Sequence, residues 1–200
     1  MKPTGRMTNF APGHGGIARD PATVANHRFF DGSQEAMLRR ALRASVRFEQ
    51  QADGVRARVG IWAEGVGHRL PTGFVDRHLV LIVEGRTFDG QTVTVREGPK
   101  LPALAGQELA GKPGRLYARV LRDFEGHSPV PFWLASPDPL LDTRLVPGKV
   151  EEELFDYPKT LNSLSLRVLY RRFWPVVARE KHWPEDEILV WEQTFSLPPQ

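Results

Sequence analysis

The chain contains no cysteine. That excludes disulfides, thiolate metal sites and a cysteine nucleophile, and says nothing of the compartment. Long apolar runs are missing too. None approaches the ~18–20 residues of a membrane span, and the N-terminus has no apolar core of a secretory signal. Neither sign of charge dominates, since 27 basic and 24 acidic residues give a net charge of +3. The charges are interleaved, and arginine far outnumbers lysine. The basic stripe with aromatics between that marks a nucleic-acid binder is lacking, so no nucleic-acid partner is expected.

Catalytic signatures are equally scarce. The six histidines, His14, His27, His68, His78, His127 and His182, show neither His-x-x-x-His nor His-Glu-x-x-His spacing. His14-Gly15-Gly16 is superficially like an oxyanion-hole loop, but no Gly-x-Ser-x-Gly elbow follows. Gly65-Val-Gly67-His-Arg-Leu70 lacks the third glycine of a phosphate loop and does not open a helix. The acidic runs Glu151 to Glu153 and Glu185 to Glu187 read as solvated faces. The expectation is therefore a protein that is not an enzyme and holds no metal of its own. One enzymatic reading is kept in view, a metal site built from His68, His78 and Asp142, with Asp76 nearby. Five tryptophans also raise a carbohydrate platform. Most sit inside apolar runs, which favours core packing for each.

Two hundred residues, 40% of them hydrophobic, suit one domain or one domain with a tail, and 17 prolines and 18 glycines imply short elements and many turns. Residues 1–32 have no periodicity and read as an extended N-terminal arm. It closes on Asn26-His-Arg-Phe-Phe-Asp-Gly, whose two adjacent phenylalanines are expected to dock on something. Residues 33–200 form the second part. Gln34 to Leu42 reads as a short helix, capped by Asp31 or Ser33, with Met37, Leu38, Ala41 and Leu42 on one face. The period then changes. Ala44, Val46 and Phe48, then the Asp53-Gly54 turn, then Val55, Ala57, Val59 and Ile61 predict a β-hairpin with one wet face. Leu79 to Val83 is a short continuous apolar run, expected as a central strand buried on both sides. Asp89-Gly90 marks another turn, with a partner strand over Gln91 to Arg96. Residues 98–114 read as a long loop with a helical turn. Further strands are expected over Leu116 to Leu121, Val150 to Tyr157, Leu164 to Tyr170 and Ile188 to Leu197. In the last, Leu189, Trp191, Phe195 and Leu197 share a face. Pro175 opens a second short helix, ending near His182. In the irregular stretch 125–149, Phe132-Trp133-Leu134 is expected to be buried. These alternating faces predict a mainly β protein, a two-layer antiparallel β-sandwich of immunoglobulin-like kind, with a barrel as runner-up.

The centre of the chain is Gly65-Val-Gly-His-Arg-Leu-Pro-Thr-Gly73, which joins two of the clearest apolar runs. Gly65, Gly67 and Gly73 tolerate positive φ, and Pro71 pushes Leu70 towards extended backbone. Two readings stand. In the simpler, this is a tight crossover loop with His68 hydrogen-bonded to backbone. In the sharper, the loop presents His68 to a ligand or metal. Asp142-Thr-Arg-Leu-Val-Pro-Gly148 has the look of a second specific turn, with Asp142 and Arg144 able to pair.

The order of these motifs carries a resemblance. His27-Arg-Phe-Phe-Asp-Gly, a short helix, a hairpin, Gly67-His-Arg-Leu-Pro-Thr-Gly73, an apolar strand ending in Asp89-Gly90, and then Asp142-Thr-Arg-Leu-Val-Pro-Gly148 together resemble the C-terminal, non-haem β-domain of bacterial multihaem c-type cytochromes. The motif residues are Gly67, Arg69, Pro71, Thr72, Gly73, Asp142, Arg144 and Pro147. In that family a Cys-x-x-Cys-His haem-attachment motif is commonly followed by a methionine-proline stretch and a His-Arg-Phe segment. Met1-Lys-Pro-Thr-Gly-Arg-Met7 looks like the residues just after such a motif. This chain departs from the family in holding no Cys-x-x-Cys-His, so it cannot attach haem covalently. The resemblance implies either the tail of a longer or split cytochrome, or a domain working beside one. It further implies a haem-bearing segment or subunit as partner, haem c held by that partner, and an extracytoplasmic, periplasmic setting. His27 and His14 become candidate distal axial ligands to the partner's haems, and His68 a third. The competing expectation is a stand-alone carbohydrate- or protein-binding sandwich module.

Overall fold

The computed structural model describes residues 8–9, 13–24, 35–184 and 187–198. It divides into two compact units, Met1–Asp31 and Gly32–Gln200. In the first, β1 (Thr8–Asn9) pairs antiparallel with β2 (Ala18–Arg19). Between them lies a turn at Gly13 to Gly15. Asp20 ends the ladder, its carboxylate accepting the Ala22 N–H at 2.9 Å. The segment expected as an extended arm therefore contains a short ladder. His27, the two phenylalanines and both predicted helix caps lie outside the described residues.

The second unit opens with α1 (Glu35–Ala41), followed directly by β3 (Leu42–Gln50) and β4 (Gly54–Ala63). Then come β5 (His78–Arg86), β6 (Thr92–Val93), a 3-10 turn over Ala103–Ala105, β7 (Gly114–Tyr117), β8 (Arg119–Val120) and β9 (Leu141–Asp142). The chain ends with β10 (Val150–Pro158), β11 (Ser163–Arg171), α2 (Pro175–Glu180) and β12 (Glu187–Ser196). Only Leu38 of α1 is buried, so the predicted helical face is narrower than expected, and Leu42 already belongs to the strand.

These elements make the expected antiparallel β-sandwich. One sheet has the order β10-β4-β3, and the other β12-β11-β5-β6 with β7 also on β5. Alternation explains the packing between them. Val55, Ala57, Val59, Ile61 and Ala63 of β4 all point inward. They meet Leu79, Leu81 and Val83 of β5, Phe155 and Tyr157 of β10, and Leu164, Leu166 and Val168 of β11. The wet face carries cross-strand ion pairs. Arg56 clamps Asp156 through two bonds of 2.7 Å, and Arg58 reaches Glu49 and Glu152.

Strand β5 is buried on both faces, as its continuous apolar run predicts. Val80 and Ile82 face away from the sandwich into a second core with Leu101, Ala105, Leu109, Leu116, Ala118, Val120, Leu169 and Trp174. The stretch predicted as a long loop, 98–114, is thus the cover of the outer sheet face. Gly114 lets that cover approach, because a Cβ there would stand 2.1 Å from the Leu81 carbonyl oxygen.

Strand β12 corrects one expectation. The ladder between β11 and β12 shifts register at Val168/Leu169, where Val168 pairs with Trp191 and Leu169 with Leu189. The extra residue, Val190, is buried while Leu189 is exposed. A bulge inverts the side-chain parity beyond it, so Leu189 and Trp191 cannot share a face.

Candidate functional site

The two singled-out motifs meet. The loop Gly65–Gly73 runs antiparallel past the turn after β9. Leu70 N–H donates to the Leu145 carbonyl at 2.9 Å, and Leu145 N–H returns to Leu70 at 2.8 Å. Both leucines are buried. The turn is itself fixed to the outer sheet, since the Thr143 hydroxyl donates to the Leu116 carbonyl at 2.7 Å. Pro147 bridges to Ala63 at the end of β4.

Charge reinforces this join. Arg144 holds Asp142 bidentately, Nε at 2.8 Å and Nη2 at 2.7 Å, and Arg69 from the loop stands 3.7 Å from the same carboxylate. Arg144's hydrogen bond keeps the Asp142 carboxyl below the usual carboxylate range, with Arg69 adding to the effect. Replacing Asp142 by alanine is expected to lower stability by about 1–3 kcal/mol, because both guanidinium groups lose their acceptor. A shift of the urea midpoint measures it, and an unchanged midpoint would show that backbone bonds alone hold the loop.

Within the loop, Gly65 and Gly73 take positive φ of 65° and 86°, whereas Gly67 does not. Pro71 is buried, Thr72 half-buried. Arg77 reaches back to the Thr72 carbonyl at 3.4 Å. His68 is exposed, and its Nδ1 lies 3.2 Å from the Arg69 carbonyl oxygen. A carbonyl only accepts, so Nδ1 carries the hydrogen of that bond. In the neutral ring, Nε2 is then left with an open lone pair directed away from the contact. The backbone bond is the one that the simpler reading of His68 describes, and the ring is exposed.

His14 is exposed within the turn of the first unit; His27 lies outside the described residues. The kept metal reading does not assemble. Asp142 is committed to Arg144 and Arg69, and the buried His78 is bonded to the Asp76 carbonyl and stacked on Trp174. Among the described residues no group of three or more His, Asp or Glu is placed to hold a metal ion.

His78 lies elsewhere, at the start of β5, fully buried. Its ring stacks on Trp174 with centroids 4.3 Å apart and planes 11° from parallel. Its Nδ1–H donates to the Asp76 carbonyl at 2.8 Å, and Nε2 has no hydrogen-bond partner among the described residues. Burial pushes its pKa down to about 4. Its cross-strand neighbour Arg171 is also buried, and bonds Glu187, Glu108 and the Ala105 carbonyl.

Sequence reasoning missed a surface feature. Phe132, Trp133 and Leu134, expected inside, are 61%, 67% and 56% exposed. Their segment is a proline-punctuated connection without ladder partners, and such backbone stays near water. Phe132 meets Phe74 edge-on at 6.3 Å, Phe74 meets Phe173 at 6.5 Å, and Phe173 meets Trp183 at 4.6 Å. One available signal was that all these aromatics fall between the alternating runs rather than within them.

No protein-family model matches this sequence, and no curated protein matches it. Among solved structures, the chain is similar to a penta-haem cytochrome c552 from Thermochromatium tepidum, with a TM-score of 0.67 at 22% identity over 92% of this chain. The match spans 44% of that cytochrome's length. The likeness establishes a shared fold. Among the described residues no helix is long and apolar enough to cross a membrane.

Proposed function

We propose that this chain is an accessory, non-haem β-domain of a multihaem c-type cytochrome that takes part in electron transfer. It supports a haem-bearing segment or subunit and supplies distal imidazoles to haems which that partner holds. The observation that carries the reading is the sandwich fold shared with a penta-haem cytochrome over nearly the whole chain. Two further points support it. Lacking cysteine, the chain fits haem held by a partner rather than attached to itself. His68 also fits the chemistry of a haem-iron ligand, with Nδ1 hydrogen-bonded to a carbonyl and Nε2 open. His14 and His27 are the other candidates. With such a partner the protein would work outside the cytoplasm, in the periplasm or an equivalent compartment.

The test is co-expression of the chain with a multihaem cytochrome c segment of the same organism, in wild-type form and with His14→Ala, His27→Ala or His68→Ala. A variant that removes a ligand is expected to turn a low-spin haem high-spin, shifting the Soret band and the reduction potential. If all three variants keep the wild-type spectrum and potential, no imidazole of this chain serves as ligand. If the chain forms no complex with the haem protein, the accessory role itself fails.

A further inference from the structure

Five aromatic side chains outside the core, Phe74, Phe132, Trp133, Phe173 and Trp183, form one connected group. Trp183 touches Phe173, Phe173 touches Phe74, Phe74 touches Phe132, and Phe132 touches Trp133. They come from three separate parts of the chain: the connection into β5, the segment after β8, and the residues flanking α2. Of these, Phe74 and Trp183 are nearly half exposed, and Phe132 and Trp133 more so. Isolated exposed aromatics are ordinary. A contiguous cluster gathered from three segments is not, because water disfavours it and no packing need of the fold demands it.

The ring geometry narrows what covers this cluster. Sugars stack flat on aromatic faces, and a carbohydrate platform therefore needs faces laid open side by side. Here the interplanar angles are 89°, 68°, 85° and 52°. Rings set edge-to-face build a corrugated apolar relief, which is the form that interdigitates with another protein's side chains. The rim adds charge. Arg179 on α2 and Lys181 just after it are exposed and lie between Phe173 and Trp183 in the chain, with Glu180 the acidic group among them. Arg77 follows Phe74 by three residues, but only its backbone N–H meets the Phe74 carbonyl, at 3.1 Å. Its guanidinium turns to the Thr72 carbonyl, so the cationic border is that of Arg179 and Lys181. An apolar centre with a cationic border is complementary to an apolar surface bordered by carboxylates. A protein-held haem near a surface offers both, an apolar macrocycle edge and two propionate groups.

We infer that the Trp183–Phe173–Phe74–Phe132–Trp133 cluster is the face by which this domain docks on the haem-bearing polypeptide. The inference rests on the accessory role proposed above and assigns that role a surface. Phe74 stands in the same connection as His68, six residues on, so docking through this face also fixes the connection that carries the candidate ligand.

The test uses the full chain, immobilised, and as probe the haem c-containing proteins of the producing cells, purified on their Soret absorbance. Binding is read by retained haem absorbance and by quenching of tryptophan fluorescence. A double variant, Phe132→Ser with Trp133→Ser, is expected to weaken binding about ten-fold or more, since exposed aromatics at an interface centre carry much of the affinity. A second, Arg179→Glu with Lys181→Glu, is expected to weaken it several-fold and to flatten its dependence on salt. Thermal unfolding within a few degrees of wild type in the charge variant keeps the test independent of folding. Wild-type binding that both variants retain in full overturns this inference and leaves the accessory role standing. Absence of any haem protein bound to wild type overturns both. Retention on insoluble polysaccharide, lost in the aromatic double variant, would make the face a carbohydrate surface and overturn the inference as well.

Discussion

Replacing Phe155 by alanine is expected to lower the unfolding free energy by about 3–5 kcal/mol. Phe155 is wholly buried in β10 and faces the core between the sheets. Its ring is closely backed, for a Cβ added at Gly98 would stand 2.7 Å from Phe155 Cδ1. Truncation leaves a void whose walls are hydrogen-bonded strands, and walls of that kind relax little. Domains of this size have about 5–15 kcal/mol in all, so the variant forfeits a large share. Urea unfolding should show a much lower midpoint with an unchanged slope. A loss below about 1 kcal/mol would place Phe155 outside the core. The exposed Phe132 provides the contrast: its alanine variant should stay within about 0.5 kcal/mol of wild type. The two phenylalanines thus separate burial from mere aromatic character.

That contrast also marks how far the sequence could be read. Phe155 and Tyr157 alternate with Asp156, and such alternation reports a half-buried strand because the pleat turns successive side chains to opposite faces, although Val150-Glu-Glu-Glu-Leu154 before them does not alternate. The Asp53-Gly54 hairpin and β11 were legible on the same ground, and the doubly buried β5 from its continuous apolar run. Phe132-Trp133-Leu134 was misread because apolar content was taken for burial where no periodicity supported it. The parity of β12 was misread because a bulge leaves no mark in the pattern. Within the candidate site, Asp142 and Arg144 are two residues apart and their pairing was visible. The meeting of Leu70 with Leu145, and of Arg69 with Asp142, joins residues more than seventy positions apart, and one sequence has no term for such a contact. The stack of His78 on Trp174, and the ring contacts that link Phe74 to both Phe132 and Phe173, were hidden for the same reason.

His78 gives the second large effect, as a dependence of stability on pH. Its folded pKa of about 4 lies below the ordinary 6.5 chiefly because burial disfavours the imidazolium; the Asp76 carbonyl opposes that shift, and Arg171 across the strand adds repulsion. As pH falls below about 6.5 the unfolded chain takes up a proton that the folded chain refuses. Stability is therefore complete above that pH and declines towards pH 4, below which both states are protonated. The gap between the two pKa values corresponds to about 3 kcal/mol. Asp76 acts the other way. Burial raises its carboxyl pKa, while the Trp174 indole N–H donates to it and tempers the rise, so its contribution offsets part of the loss as pH falls. Asp142 and Asp156, held low by Arg144 and Arg56, contribute stability that disappears only below about pH 3.9, beneath this window. Urea midpoints measured from pH 8 to pH 4 should fall in wild type and stay nearly level in His78→Phe, which keeps a ring against Trp174. A decline of equal slope in that variant would assign the acid sensitivity to other groups. Because His78 is the first residue of β5, the linked stability belongs to the strand end from which the connection bearing His68 and Phe74 enters the sheet.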